Sequence, residues 1–293
     1  MKNNYILIIL VLWLFSCDDP FSTTLEIDPP AFHDMAVVIA ESAHTNTSFS
    51  LTLKTTTPII PYTEDPYLND ASVEVLENRH AYFTMKNQGN NQGSPNYTYT
   101  SASTLFKENK EYSLEINSAK YGLITAKSTL PPRVTPESMV LEEDGGLNLT
   151  GEDRSAIKVV INDPPDQENF YEAWVTRTYE NENSYDGTYT EVNDPNFFRN
   201  INYDSVVFSD FTFNGERKSI SLLFYPINCC GRTEKFKLHW RNITEEFYEF
   251  SRSVEAQDLV EDNPFASPVQ VPNFIENGLG IFSLYNEYSF DVE

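Results

Sequence analysis

The sequence predicts a mainly β protein: a β-sandwich in its first half, then a second β-rich domain that carries one short helix. Three observations predict it. The chain holds 17 Tyr and 20 Phe among its 293 residues, and aromatic side chains, like Thr, Val and Ile, fit half-buried pleated surfaces. Apolar residues recur at every second position in many short runs, the period of a strand with one buried face. Segments rich in Asn, Gly and Pro punctuate those runs at the spacing of short strands.

In chain order, residues 1–16 come first. Lys2 is followed by a mostly apolar run from Tyr5 to Phe15, and Leu14-Phe15-Ser16-Cys17 reads as a lipoprotein cleavage box. An eleven-residue helix would reach roughly 16 Å, about half of a hydrocarbon core, and Asp18, Asp19 and Pro20 stop any extension. The expectation is therefore a signal peptide over 1–16, with lipidation at Cys17. Several acyl chains on one cysteine give stable anchoring where a single chain does not. Residues 17–24 then form a polar tether.

The sandwich is expected over 25–130. Met35 to Ala40 is a nearly continuous apolar run, while Ser48 to Thr55 alternates, with Phe49, Leu51 and Leu53 on one face. Ala71–Leu76, Tyr82–Met85, Tyr97–Thr100, Glu111–Ile116 and Leu123–Ser128 complete about seven short strands, the count of a β-sandwich. Pro131, Pro132 and Pro136 remove ladder donors and stiffen the backbone, which makes 131–138 a joint between domains. The second domain, 139–293, has strand patterns at Ala156–Ile161, Tyr171–Thr178, Ser205–Phe213, Lys218–Tyr225 and Lys235–Trp240, with an Asn/Asp/Tyr-rich loop over Asn181–Asn196. Near 244–260 the period changes. Thr244 caps a helix, Glu245 and Glu246 suit its amino-terminal dipole, and Phe247, Phe250 and Val254 form a core-facing stripe. Gly280 to Val292 closes the chain as a strand.

Composition excludes one function class outright. With 20 Lys plus Arg against 44 Asp plus Glu the formal charge is −24, whereas nucleic-acid binders need a basic footprint. The cysteines other than Cys17 are the neighbours Cys229 and Cys230, which fit neither a CxxC redox motif nor a zinc site. A vicinal disulfide, two separate thiols and an intermolecular bond all stay open for them. The four histidines, His33, His44, His80 and His239, are scattered outside any ligand spacing. His239 beside Trp240 reads as a hydrogen-bonded structural residue. The carboxylates and amides at Asp186, Asn193, Asp194 and Asn196 lack an EF-hand register. No nucleophile elbow or phosphate loop is present in the sequence, so no catalytic residue, metal or cofactor is assigned. Tyr179, Tyr185 and Tyr189 are candidate ligand contacts, because aromatic faces can stack on sugars.

The order of features resembles the domain of unknown function 4249 family of Bacteroidetes outer-membrane lipoproteins. The resemblance rests on Ser16-Cys17 with its acidic followers, Met35-Ala-Val-Val-Ile-Ala40, Thr129-Leu-Pro-Pro132, Ile161-Asn-Asp-Pro-Pro165 and Asn169-Phe-Tyr171. It rests above all on Asn263-Pro-Phe-Ala266, Val271-Pro-Asn-Phe-Ile275 and Gly278-Leu-Gly-Ile-Phe282. Glu276-Asn277, where the family commonly has another glycine, and the Cys229-Cys230 pair depart from it. The resemblance implies an immunoglobulin-like or transthyretin-like first domain, an outer-membrane location and proximity to TonB-dependent receptors. The resulting expectation is a non-enzymatic lipoprotein that is lipid-anchored at Cys17, exposed at the cell surface, and an accessory or ligand-capture partner of a receptor barrel. The alternative is a glycan-binding or adhesive module, and a hydrolase with a dispersed site is a more distant third.

Overall fold

The computed structural model describes residues 32–58, 67–89, 95–179, 186–200, 204–227, 234–261, 263, 265–267 and 269–292. Asp34–Glu293 forms a compact unit by itself, and it carries the architecture that follows.

That architecture is mainly β, as the composition requires, with seventeen strands and one helix among the described residues. The first seven strands are β1 (Ala36–Ala43), β2 (Ser48–Thr55), β3 (Ser72–Glu77), β4 (His80–Asn87), β5 (Tyr97–Thr100), β6 (Glu111–Ser118) and β7 (Gly122–Thr129). They match the seven expected strands within a few residues. Alternation drives them: in β2, Phe49, Leu51 and Leu53 are buried while Ser48, Ser50 and Lys54 face solvent, which is how a strand satisfies one core and one solvated face. The second half adds β8 (Ser138–Leu147), β9 (Asp153–Asn162), β10 (Phe170–Tyr179), β11 (Asp186–Thr188), β12 (Phe198–Asn200), β13 (Ser205–Ser209), β14 (Arg217–Phe224) and β15 (Glu234–Ile243). Helix α1 (Glu245–Glu261) and strands β16 (Ile275–Glu276) and β17 (Leu279–Val292) complete it.

A 14-stranded sheet runs in the order β12-β13-β10-β15-β17-β1-β2-β5-β4-β3-β6-β7-β16, with β11 beside β10. Its continuity depends on β17. The first half of this strand pairs in parallel with β1 from Val37↔Leu279 to Ala43↔Tyr285, and its second half pairs antiparallel with β15 from Asn242↔Asn286 to Phe236↔Val292. A smaller sheet, β14-β9-β8, packs over the second half.

Two main cores result. The first gathers Val38, Phe49, Leu53, Val73, Tyr97, Tyr112 and Leu114, together with Ile275, Phe282 and Leu284 from the far end of the sequence. The second gathers Ile157, Val159, Tyr171, Val175, Phe208, Leu222, Phe224, Leu238 and Trp240. The first core thus draws on residues beyond 274, and β17 serves both. The proline segment is pinned between the cores. Leu130 is buried in one and Val134 in the other, while Trp240 Nε1 and Asn242 Nδ2 each donate to the Val134 carbonyl at 2.9 Å.

Several elements differ from the sequence reading. Strand β8 has no counterpart in the sequence reading because Glu142-Glu143-Asp144-Gly145 carries no apolar alternation; pairing with β9 holds it, with a register break between Glu142 and Gly146. Strand β13 ends at Ser209 rather than Phe213, because Asp210 turns the chain: the Phe213 amide donates to the Asp210 carbonyl at 2.6 Å. The helix begins where Thr244 predicts, with the Phe247 amide donating to Thr244 Oγ1 at 3.2 Å.

Candidate functional site

Three short segments meet beside α1 to form a groove of about 540 Å³. Strand β10 contributes Phe170 at its first position, β12 contributes Phe198 at its first position, and α1 contributes Tyr248. The three rings make a floor, with Phe170 and Tyr248 centroids 5.1 Å apart and Phe198 and Tyr248 5.2 Å apart. Behind them lies a third apolar cluster, including Val207, Ile243, Phe247 and Ile281. Phe247 faces this core as its stripe predicts, and Tyr248, one position further round, is left to the groove.

The opposite lip is the turn after β13. Asp210 is buried, and its Oδ2 accepts from the Asn169 amide at 2.8 Å and from Asn169 Nδ2 at 3.1 Å. Burial pushes the Asp210 carboxyl pKa up, only partly offset by these Asn169 hydrogen bonds. Asp163 holds the same turn from below. Its Oδ1 accepts from the Tyr171 hydroxyl at 2.5 Å and its Oδ2 from the Gly215 amide at 3.0 Å; burial, and then this hydrogen bond, raise the Tyr171 pKa. So fixed, the turn presents Phe211 to solvent at 87% exposure. Glu168, Glu245, Glu249 and Arg252 line the groove as well, and among the described residues none of these four enters a salt bridge. The walls are acidic and the floor is aromatic. Such a site can hold a ligand by stacking and charge.

The residues singled out from sequence lie elsewhere or outside the described residues. Cys17, Tyr185, Cys229 and Cys230 fall outside them. Tyr179 ends β10, with the Arg177 guanidinium 5.7 Å from its ring centroid. Tyr189 follows β11, with Arg199 4.1 Å over its ring and Tyr225 at 6.2 Å. Because Thr188 pairs with Val175, Tyr189 falls opposite Trp174, five positions before Tyr179, and the two tyrosines stand on the order of 16 Å apart along the strand. Arg199 also occupies one face of Tyr189. His239 stacks parallel to Trp174 at 4.7 Å, and its ring nitrogens lie 2.9 Å from Thr176 Oγ1 and Ser289 Oγ. Asp194 Oδ1 accepts from Asn196 N and Nδ2 at 3.0 and 2.9 Å, and among the described residues no three His, Cys, Asp or Glu side chains gather as a metal site.

Sequence reasoning missed the groove. Its one legible signal was the aromatic in Asn169-Phe-Tyr171, within a stretch shared with a family pattern. The model of a family described as a domain of unknown function, DUF4249, matches residues 19–291. The chain belongs to this family. The match spans the first core, the second core up to residue 291 and every groove residue, so the groove is built entirely from the DUF4249 region. No curated protein matches the chain. Among solved structures, a mutant of Salmonella alpha-2-macroglobulin aligns with 10% identity over 91% of this chain and 15% of its own length, at a TM-score of 0.24. At that score the likeness carries no argument. Among the described residues of this DUF4249 protein, no helix is long and apolar enough to cross a membrane.

Proposed function

We propose that this DUF4249 protein is a non-enzymatic, lipid-anchored protein of the outer membrane that captures a ligand beside a TonB-dependent receptor at the cell surface. The observation that carries the reading is the groove, with its aromatic floor of Phe170, Phe198 and Tyr248 and its acidic walls. An aromatic floor between charged walls on a β scaffold supports recognition by stacking and charge. The Leu14-Phe15-Ser16-Cys17 box supports anchoring, and confinement to a membrane raises the effective concentration of a captured ligand near a receptor. The acidic body would be repelled by anionic lipid and would stand off on residues 17–24.

Mild detergent extraction and affinity isolation of the tagged protein are expected to recover a large outer-membrane barrel; isolation of the protein alone would remove the receptor reading. Cys17→Ser is expected to release the protein from the membrane fraction with its near-ultraviolet circular dichroism intact.

Glycan binding is a second reading, supported by the proximity of the Tyr189 and Tyr225 rings. It is subordinate because a sugar would have to displace Arg199 from Tyr189. Tyr189→Ala is expected to leave ligand capture unchanged, which a glycan array on wild type and variant would check.

A further inference from the structure

We infer that the groove beside α1 receives a basic peptide segment, one that places Lys or Arg next to an aromatic or large aliphatic side chain. The inference rests on the ligand-capture reading and names the ligand's chemistry. Two features of the groove are complementary to such a segment and to few others.

The first is charge. Glu168 and Glu245 are exposed and Glu249 is half-buried, against the single Arg252 on the same walls. The amino terminus of α1 adds roughly half a positive charge, but Glu245 and Glu246 occupy its first turn and offset it. The local balance stays negative. Above a low-dielectric aromatic floor these carboxylates act on a bound cation with less screening than on open surface. An anionic ligand, such as a phosphate or an acidic glycan, would meet repulsion from three sides.

The second is apolar surface with an extended outline. The ring floor offers faces for stacking and for cation–π contact with Lys or Arg. Beyond it, Leu259 is 76% exposed and lies roughly two helical turns past Arg252 and three past Tyr248, on the same side of α1. Phe211, 87% exposed, stands on the lip formed by the turn after β13. Large apolar residues left in water beside an aromatic floor mark a surface that a partner covers. The 17-residue helix is about 25 Å long, so a surface that follows it from Tyr248 to Leu259 suits an extended segment of several residues better than a small cation.

Fluorescence polarisation on the full chain in detergent micelles tests this, with labelled Gly-Lys-Trp-Arg-Gly as probe and Gly-Glu-Trp-Glu-Gly and Gly-Lys-Ser-Arg-Gly as controls. The basic aromatic probe is expected to bind at least about tenfold more tightly than either control, and to weaken as salt rises. Glu245→Gln combined with Glu249→Gln should remove most of that preference, and Phe211→Ser should weaken the probe without changing the thermal midpoint, since Phe211 packs against little. Equal affinity for the acidic control, or insensitivity to the Glu→Gln pair with the fold intact, would overturn the inference. So would self-association of the chain that Phe211→Ser disrupts and the probe does not compete. Receptor co-isolation is scored separately: a barrel recovered without peptide preference sinks only this inference, while preference without a barrel sinks only the receptor reading.

Discussion

The residue that bears most on stability is Arg241. Its Nη1 donates to Glu172 Oε2 at 3.0 Å and its Nε to Glu287 Oε2 at 2.7 Å, while the guanidinium lies 4.1 Å from the Tyr285 ring and 4.7 Å from the Trp174 ring. Burial opposes its charge, yet Glu172, Tyr285 and Glu287 outweigh burial and hold the pKa above that of a free arginine. Glu172 is fully buried and also accepts from Ser205 Oγ at 2.5 Å. Removing one partner of a buried pair leaves an uncompensated charge, so Arg241→Met is expected to cost about 3–5 kcal/mol in urea unfolding, less when combined with Glu172→Gln. Two histidines make stability depend on pH. Burial lowers the pKa of both His44 and His239, and His44 Nδ1 accepts from the Glu287 amide at 3.1 Å, a bond that protonation there would break. A folded state that binds a proton less readily than the unfolded chain keeps its full stability above about pH 6.5 and loses it as pH falls below that value. Asp210, whose carboxyl pKa burial raises, acts in the opposite sense. Urea midpoints are thus expected to drop between neutral and mildly acidic pH, and to drop less in His44→Gln/His239→Gln; an unchanged slope would contradict this. His239 was legible as a structural histidine because its strand neighbours are apolar. The Arg241–Glu172 pair was not, since the partners are 69 residues apart.

Among the elements, α1 and the β17 junction have distinct controls. Thr244 sits at the helix amino terminus with its hydroxyl on the Phe247 amide, so Thr244→Ala is expected to cost about 1 kcal/mol and about 2–4 °C in a thermal scan. At the start of β17, Gly280 has φ +118°, and a Cβ there would stand 1.9 Å from the Val38 carbonyl oxygen. Backbone fills that space, so Gly280→Ala must part the parallel β1–β17 pairing. Gly122 also has positive φ but open surroundings. Gly122→Ala should therefore cost only about 1–2 kcal/mol of backbone strain, while Gly280→Ala is expected to exceed about 4 kcal/mol or prevent soluble expression. Similar losses in the two variants would refute the steric account. Strands with one buried and one wet face, such as β2 and β6, were legible from period alone. The short β11, β12 and β16 were not, because two or three residues carry no period and their pairing is supplied by neighbours.

For the molecule as a whole, β17 decides how the cores are coupled. Phe282 and Leu284 lie in the first core, and Phe290 and Val292 belong to or pack on the second, all from one strand. Trp240 and Asn242 further hold the segment between the cores through Val134. A fragment over 25–130 would lack Ile275, Phe282 and Leu284, leaving first-core side chains such as Phe49 partly in water. It is expected to be unfolded by circular dichroism, whereas the whole chain should melt in one transition with calorimetric and van't Hoff enthalpies in agreement. Two resolved transitions, or a folded fragment, would show that the cores are independent.

By itself the sequence determined the mainly β class of the protein. Alternation and aromatic content require strands, and the Thr244 and acidic first-turn signals place one helix. These are local properties, each written within a few consecutive positions. The tertiary structure decided what is built from distant positions: the sharing of β17 between two cores, the arginine pinned among carboxylates, and the groove. The groove unites Glu168 and Phe170, Phe198, Phe211 and Tyr248 from four separate segments. None of these residues departs from the pattern of its own segment, so only the packing of α1 against β10, β12 and β13 makes them a site.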